Sequence, residues 1–321
     1  MEGFGGQGET GFDVLLVGRD VGRHMTQSFV LVGRCIWGAM IIRVVILGLL
    51  FGRVGVWAGE VSKVKMIPFK TVLDAKGSSI ELRLHVFEPS GDVPKGGRSA
   101  IVLFFGGGWV GGAPVQFYPQ CEYFAERGMV AISAEYRTRS GHGTSPVECV
   151  KDGKSAIRFV RKNAGKMGID ADRIVAGGGS AGGHVAAATA TVKGFEESEE
   201  EGGVSARPDA LVLFNPVYDN SPEGYGNDRV HAFWRSFSPL HNLSERMPPA
   251  IVFLGTKDNL IPVATGERFR DEMRRLGVRS ELFLYEGQGH GFFNSRNKEY
   301  FEKTTREADR FLTELGFLRA R

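Results

Sequence analysis

From Ile80 to Phe87 (IELRLHVF) apolar and polar side chains alternate, the period-two pattern of a strand with one face in the core and one in water. Ser99–Phe105 (SAIVLFF) is instead apolar without a break, as in a strand covered on both faces. Similar short runs recur at Met129–Ala134, Arg173–Ala176, Ala210–Phe214, Ala250–Leu254 and Ser280–Tyr285. Between them the period lengthens. Val147, Val150, Ile157 and Val160 fall at helical spacing, and Phe301, Ala308, Phe311, Leu312 and Leu315 form one apolar helix face. Strands alternating with helices predict an α/β fold, with a mostly parallel central sheet and helices on both of its faces. The opening strands have no helix between them, which predicts an antiparallel start. The segment from about Tyr218 to Met247, between the sixth and seventh strands, is too short for a large lid and predicts a short cap insertion. Glu196–Glu201 (EESEEE) reads as a solvated loop.

The first 60 residues follow a different pattern. Residues 1–39 are glycine-rich, with no sustained strand or helix periodicity. From Met40 the chain offers one charge (Arg43), an apolar run (Val44–Phe51) and a Val56-Trp57-Ala58 ending with small residues at the −3 and −1 positions. That is the layout of a secretory signal peptide, and the run is too short to span a bilayer. The expectation is a true start at Met40, mistranslated upstream sequence over 1–39, cleavage after Ala58, and a single catalytic domain over 59–321. The protein would then be secreted or periplasmic, with no stable membrane partner.

Composition narrows the partners. The chain is 42% hydrophobic and 24% charged, with a net charge of +3 and no basic stripe, so nucleic acid is not expected to bind. The histidines show no metal-ligand spacing, and neither a metal nor an organic cofactor is expected. Cys121 and Cys149 fall in helices that should cover opposite faces of the sheet, too far apart for a disulfide. The sequence leaves the oligomeric state open. Glycine is the outlier, at 45 residues, about twice the usual ~7%.

Glycine costs conformational entropy, so the cluster in Ile174–His184 (IVAGGGSAGGH) needs a reason. Gly178–Gly182 is G-x-S-x-G between a short strand and an alanine-rich helix. In that setting the motif lifts a serine hydroxyl out on a sharp turn, with the helix N-terminus aimed at the same place. The chain has no G-x-x-x-x-G-K-[ST], so a phosphate-cradling loop is not favoured. Ser180 is therefore the candidate nucleophile, and it needs a base to take its proton. Of the histidines, His85 lies mid-strand, His184 sits one turn past the serine, and His142, His231 and His241 lie in loops. His290, in Glu286–Phe292 (EGQGHGF), follows the last strand with glycines on both sides and is the candidate base. Asp258 directly follows the strand before it, and the order Ser180, Asp258, His290 puts each residue at a strand's carboxyl end. Asp219 and Asp228 are the fallback carboxylates. Phe105–Trp109 (FGGGW) ends another strand with three glycines, which would let backbone N–H groups approach a reacting carbonyl.

Together FGGGW, Glu135–Arg137 (EYR), GGSAGGH, GTKDNLIPV and GHGF resemble the α/β-hydrolase serine esterases, in particular their acetylesterase and hormone-sensitive-lipase-like branch, over roughly residues 65–318. The resemblance implies the α/β-hydrolase fold, with Ser180 as nucleophile, His290 as base and Asp258 as its partner. It also implies oxyanion donors at the N–H groups of Gly107, Gly108 and Ala181. One departure stands out, because Phe105 occupies the place where the family usually has a histidine that holds the glycine loop.

The reading is a serine carboxylester hydrolase working through an acyl-enzyme. Its expected substrates are short-acyl, foremost acetyl, esters of carbohydrates or similar alcohols, whether small molecules or polysaccharides. Trp109 would narrow the acyl side, and Trp234 would offer a platform to a sugar ring. The rivals are a serine peptidase on the same fold and a non-catalytic binding protein that reuses it.

Overall fold

The computed structural model describes residues 64–200 and 203–320. The expected leader and upstream segment, residues 1–58, lie outside them. In chain order the elements are β1 (Lys65–Leu73), β2 (Ser79–Phe87), β3 (Arg98–Phe104), α1 (Tyr118–Glu126), β4 (Val130–Ala134), α2 (Arg139–His142), α3 (Pro146–Lys162), β5 (Ile169–Gly179), α4 (Ala181–Thr191) and β6 (Ala210–Phe214), followed by α5 (Asn227–Val230), α6 (Trp234–Phe237), β7 (Ala250–Gly255), α7 (Val263–Arg275), β8 (Ser280–Tyr285) and α8 (Lys298–Glu314).

Among the described residues the strands form one sheet in the order β1-β2-β4-β3-β5-β6-β7-β8. β1, β2 and β4 pair antiparallel, and all later neighbours pair parallel. This is the α/β-hydrolase fold with the antiparallel start that the sequence predicts. Every residue of β4, β6 and β7 is buried, so both faces of the sheet are covered at its centre. β1 escapes the pattern reading. It is an edge strand with exposed and half-buried positions, and its register breaks between Pro68 and Lys70, where proline has no N–H to donate. β5 begins earlier than its apolar run, at Ile169, because its first residues pair with Arg98 at the start of β3.

α3 starts on a full capping box, with Ser145 and Glu148 satisfying each other's backbone N–H groups and Pro146 in the first turn. Cys121 in α1 and Cys149 in α3 are unbonded, as expected, and burial pushes both thiols well up.

The acidic run after α4 is not the solvated loop its composition suggests. Glu196 accepts a hydrogen bond from Lys154 at 2.6 Å. Glu197 accepts from Lys70 at 2.9 Å and from Arg137 at 3.0 Å. Both cations of the second set also hold Asp152, which is fully buried. The carboxylates are drawn inward because Asp152 alone leaves the buried cations Lys70 and Arg137 in excess of charge, and Lys154 has no other carboxylate partner among the described residues.

Candidate active site

The site is assembled from strand ends. β5 stops at Gly179, Ser180 turns with φ 53° and ψ −119°, and α4 begins at Ala181. A non-glycine residue holds such a φ only where its surroundings impose it. Here they do. A Cβ on Gly182 would lie 2.1 Å from the Phe104 carbonyl oxygen, and one on Gly178 would lie 2.5 Å from that of Gly182. The glycines thus let α4 press against β3 and β5 with backbone touching backbone. The Ser180 N–H donates to the Phe214 carbonyl at 3.0 Å, which ties the turn to β6.

Asp258 and His290 come from the turns after β7 and β8. One Asp258 oxygen accepts the N–H groups of Leu260 and Ile261, each at 2.9 Å. The other lies 2.7 Å from His290 Nδ1, and His290 Nε2 lies 2.8 Å from Ser180 Oγ. Burial alone would raise the Asp258 carboxyl, but the bonds from His290 and the two N–H groups outweigh it and hold the group below its ordinary range. An ionised Asp258 fixes the proton of His290 on Nδ1, which leaves the Nε2 lone pair facing the serine hydroxyl. The structure brings these three residues together. The fallback carboxylates lie elsewhere: Asp219 caps Ser221, and Asp228 is largely exposed beside Arg229.

The glycine loop after β3 lines the same cavity, of about 430 Å³, through Gly106, Gly107 and Gly108. Gly107 and Gly108 adopt φ 133° and 62°. None of the hydrogen bonds among the described residues uses their N–H groups, and the Ala181 N–H, first in its helix, has no partner within that helix. Phe105 does not leave the loop loose. Its ring stacks on Tyr136 with centroids 4.1 Å apart, and its carbonyl accepts the Tyr136 hydroxyl at 2.6 Å. The Gly106 N–H donates to Gln116 Oε1 at 2.6 Å, and the Gly107 carbonyl accepts from Val110 and Gly111.

Both tryptophan expectations are corrected. Trp109 is 1% exposed and packs against His184, Tyr225 and Phe237 behind the glycines, so it cannot narrow the acyl side. Trp234 belongs to a separate surface depression with His231, Arg235 and His241, because α6 turns it away from the cavity. Of the other histidines, His184 is buried and bonded to the Phe237 carbonyl, and His85 is held by Tyr118 and Glu135.

Three carboxamides escape the sequence reading. Asn215 directly follows β6. Its Oδ1 accepts the Gly291 N–H at 2.9 Å, and its Nδ2 lies 3.4 Å from His290 Nε2. Gln116 passes its other end to Asn294 Oδ1 at 3.0 Å, and Asn294 returns to the Gly291 carbonyl at 2.7 Å. The glycine loop and the histidine loop are thereby tied by side chains that line the cavity. The only signal in the sequence is position, since Asn215 occupies a strand's carboxyl end as Ser180 does. Among the described residues no group of three or more His, Cys, Asp or Glu side chains is arranged to hold a metal ion, and no helix is long and apolar enough to cross a membrane.

A BD-FAE family model matches residues 84–221, and a dienelactone hydrolase family model matches residues 221–317. Among solved structures, the propionate-bound thermophilic esterase Est2 of Thermogutta terrifontis superposes with a TM-score of 0.74 at 43% identity, covering 82% of this chain and 98% of that one. The same esterase has been solved with butyrate bound and phosphorylated by paraoxon. Esterase LipC of Mycobacterium tuberculosis is 29% identical over 63% of this chain and 55% of its own length. An acetylxylan esterase of Xylanibacter ruminicola is 27% identical over 54% of this chain and 37% of its own. The chain spans about half the length, or less, of the curated relatives it matches. With a strand order, a serine turn and an esterase likeness over nearly the whole of a solved chain in agreement, this chain belongs to the α/β-hydrolase esterases.

Proposed function

We propose that the protein is a serine carboxylester hydrolase that removes short acyl groups, acetyl foremost, from carbohydrates or similar polyols. The observation that carries the reading is the continuous line Asp258–His290–Ser180, with spacings of 2.7 and 2.8 Å, facing an open cavity. Ser180 Oγ attacks the ester carbonyl while His290 Nε2 takes its proton, and Asp258 stabilises the imidazolium that forms. Charge develops on the carbonyl oxygen, to which the N–H groups of Gly107, Gly108 and Ala181 are available to donate. His290 gives the proton to the leaving alcohol, the alcohol departs, and an acyl-enzyme remains. His290 then takes a proton from water, which attacks the acyl carbon and releases the acid and free Ser180.

The short-acyl preference draws support from the propionate and butyrate held by the Thermogutta esterase. The polyol preference draws support from the carboxamides of Gln116, Asn215 and Asn294 in the lining, and from the likeness to an acetylxylan esterase. Action outside the cytoplasm belongs to the same proposal and rests on the Met40–Ala58 pattern. A p-nitrophenyl ester series from acetate to decanoate tests the acyl side, followed by acetate release from acetylated xylan. The expected result is a maximum at acetate to butyrate with a gradual decline, since each methylene shifts selectivity by only about 1–3 kcal/mol. A maximum at octanoate or beyond would make the enzyme lipase-like. Turnover of acetate esters with none on any acetylated sugar would remove the carbohydrate assignment.

A further inference from the structure

The Gly108 N–H shares one rigid peptide plane with the Gly107 carbonyl, and glycine has no Cβ to limit the φ and ψ that set this plane against the next, so the loop's conformation at Gly108 depends on what holds the peptide groups on either side. On one side the Gly107 carbonyl is held by the N–H groups of Val110 and Gly111, within the loop itself. On the other side the Gly108 carbonyl is held from outside the loop. Arg229 of α5, in the cap insertion, donates to it at 2.5 Å. The same guanidinium lies 5.8 Å from the Trp109 ring centroid and 5.7 Å from that of Tyr225. Tyr225 closes the remaining side, since a Cβ on Gly108 would lie 2.8 Å from its hydroxyl. The Arg229 side chain is 27% exposed, and its carboxylate neighbour Asp228 stands 3.7 Å away and is 78% exposed. So loose and wet a pair does little to fix the guanidinium. The carbonyl and the two rings are what orient it.

We infer that Arg229 is a positioning residue for the oxyanion hole. By holding the Gly108 carbonyl it keeps Gly108 in its left-handed conformation, with the Gly107 and Gly108 N–H groups presented to the cavity. It also couples the cap to the hole, because a displacement of α5 withdraws the guanidinium and frees the Gly108–Trp109 peptide. The inference rests on the esterase reading.

The test uses the full chain with Arg229→Met, Arg229→Ala and Arg229→Lys. Methionine keeps the packing on Trp109 and Tyr225 without the hydrogen bond, and lysine keeps a charged donor. Active sites are titrated with a fluorophosphonate, so that kcat for p-nitrophenyl acetate is expressed per reactive Ser180 and misfolded protein does not count. Loss of a direct oxyanion donor costs about 10²–10³ in kcat. A donor that is misaimed costs less, about 10- to 100-fold for Arg229→Met and Arg229→Ala, with KM within about three-fold, while Arg229→Lys recovers part of the loss. Affinity for an alkyl trifluoromethyl ketone, which Ser180 captures as a hemiketal with a charged oxygen, falls by the same factor as kcat/KM, and inhibition by acetate does not change. Wild-type kcat per titrated site and wild-type ketone affinity in Arg229→Met would overturn the assignment while leaving the esterase standing. A wild-type protein that turns over no ester would overturn the esterase reading, and this inference with it.

Discussion

Two glycine-rich turns flank the cavity, and they are held in different ways. In Gly177–Gly183 most of the glycines sit where backbone crosses backbone, and Gly182 meets two carbonyl oxygens of β3 and its following loop at distances a Cβ could not tolerate. In Gly106–Gly112 the closest approaches, between Gly107 and Gly111 and between Gly112 and Gly106, are within the loop. The orientation of that loop on the core comes largely from side chains outside it, namely Tyr136, Gln116 and Arg229, together with the Arg139 and Ser140 N–H groups that hold the Trp109 and Val110 carbonyls. The serine turn is therefore held rigid by backbone packed against the neighbouring strands. The glycine loop after β3 is adjustable through its neighbours, and there Phe105 is accommodated by its stacking on Tyr136.

The largest effect expected from breaking either turn is chemical. Ser180→Ala should lower kcat by about 10⁶-fold, as for any site whose members act as one unit, and should abolish labelling by fluorophosphonates while leaving the thermal midpoint unchanged. Substantial ester turnover by this variant would remove Ser180 from its role.

Next comes the joint between the two turns, where His184 of α4 lies edge-on to Trp109 of the loop at 5.1 Å. Burial lowers the His184 pKa to about 3, against a weaker opposing effect of its bond to the Phe237 carbonyl. The unfolded chain takes up this proton near pH 6.5 and the folded chain only near 3, so stability is complete above about 6.5 and is lost as pH falls between those values. The loss approaches roughly 4 kcal/mol near pH 3. Denaturant midpoints measured from pH 7 to pH 4 should fall steadily in the wild type and less steeply in His184→Gln. Equal slopes would show that another group carries the acid sensitivity.

The difference in backbone contact is sharpened by two alanines. Gly182→Ala should cost roughly 3 kcal/mol, or roughly 6–12 °C in Tm, because neither carbonyl it meets can move. Gly111→Ala, with open space around the added methyl and no positive φ, should stay within about 0.5 kcal/mol. Similar midpoints for the two would erase the distinction drawn between the turns.

The smallest effect expected is that of Tyr136→Phe, which leaves the buried Phe105 carbonyl without its partner at a cost of about 1–2 kcal/mol. It should also lower kcat a few-fold while the Ser180 turn stays fully reactive to fluorophosphonates. A drop in labelling rate equal to the drop in kcat would mean that the loop and the turn are not held independently.

Much of this is legible in the amino-acid sequence. The runs at Ala210–Phe214 and Ser280–Tyr285 coincide with β6 and β8, and those near Ser99 and Ala250 with β3 and β7 to within a residue. A strand covered on both faces, as β6 and β7 are, leaves a short unbroken apolar run, too short for a helix. Ser180, Asp258 and His290 could be selected for the same reason, since each stands directly after such a run. β1 was not readable, because an edge strand is only half covered and Pro68 interrupts it. Nor were the tryptophans, because an aromatic residue beside a site has the same composition whether its ring faces the cavity or the core.

The sequence by itself determined the order of elements, the place of the serine turn and the chain positions of its two partners. These follow from hydrophobic period and from glycine's freedom, which act over a few residues at a time. Only the tertiary structure decided that Glu196 and Glu197 fold inward onto Lys154, Lys70 and Arg137, that Asn215 underlies His290, and that Arg229 reaches back across 121 positions to hold Gly108. Those contacts depend on which polar groups the packed elements leave unpaired beside one another. That is a property of the assembled layers, and no local pattern carries it.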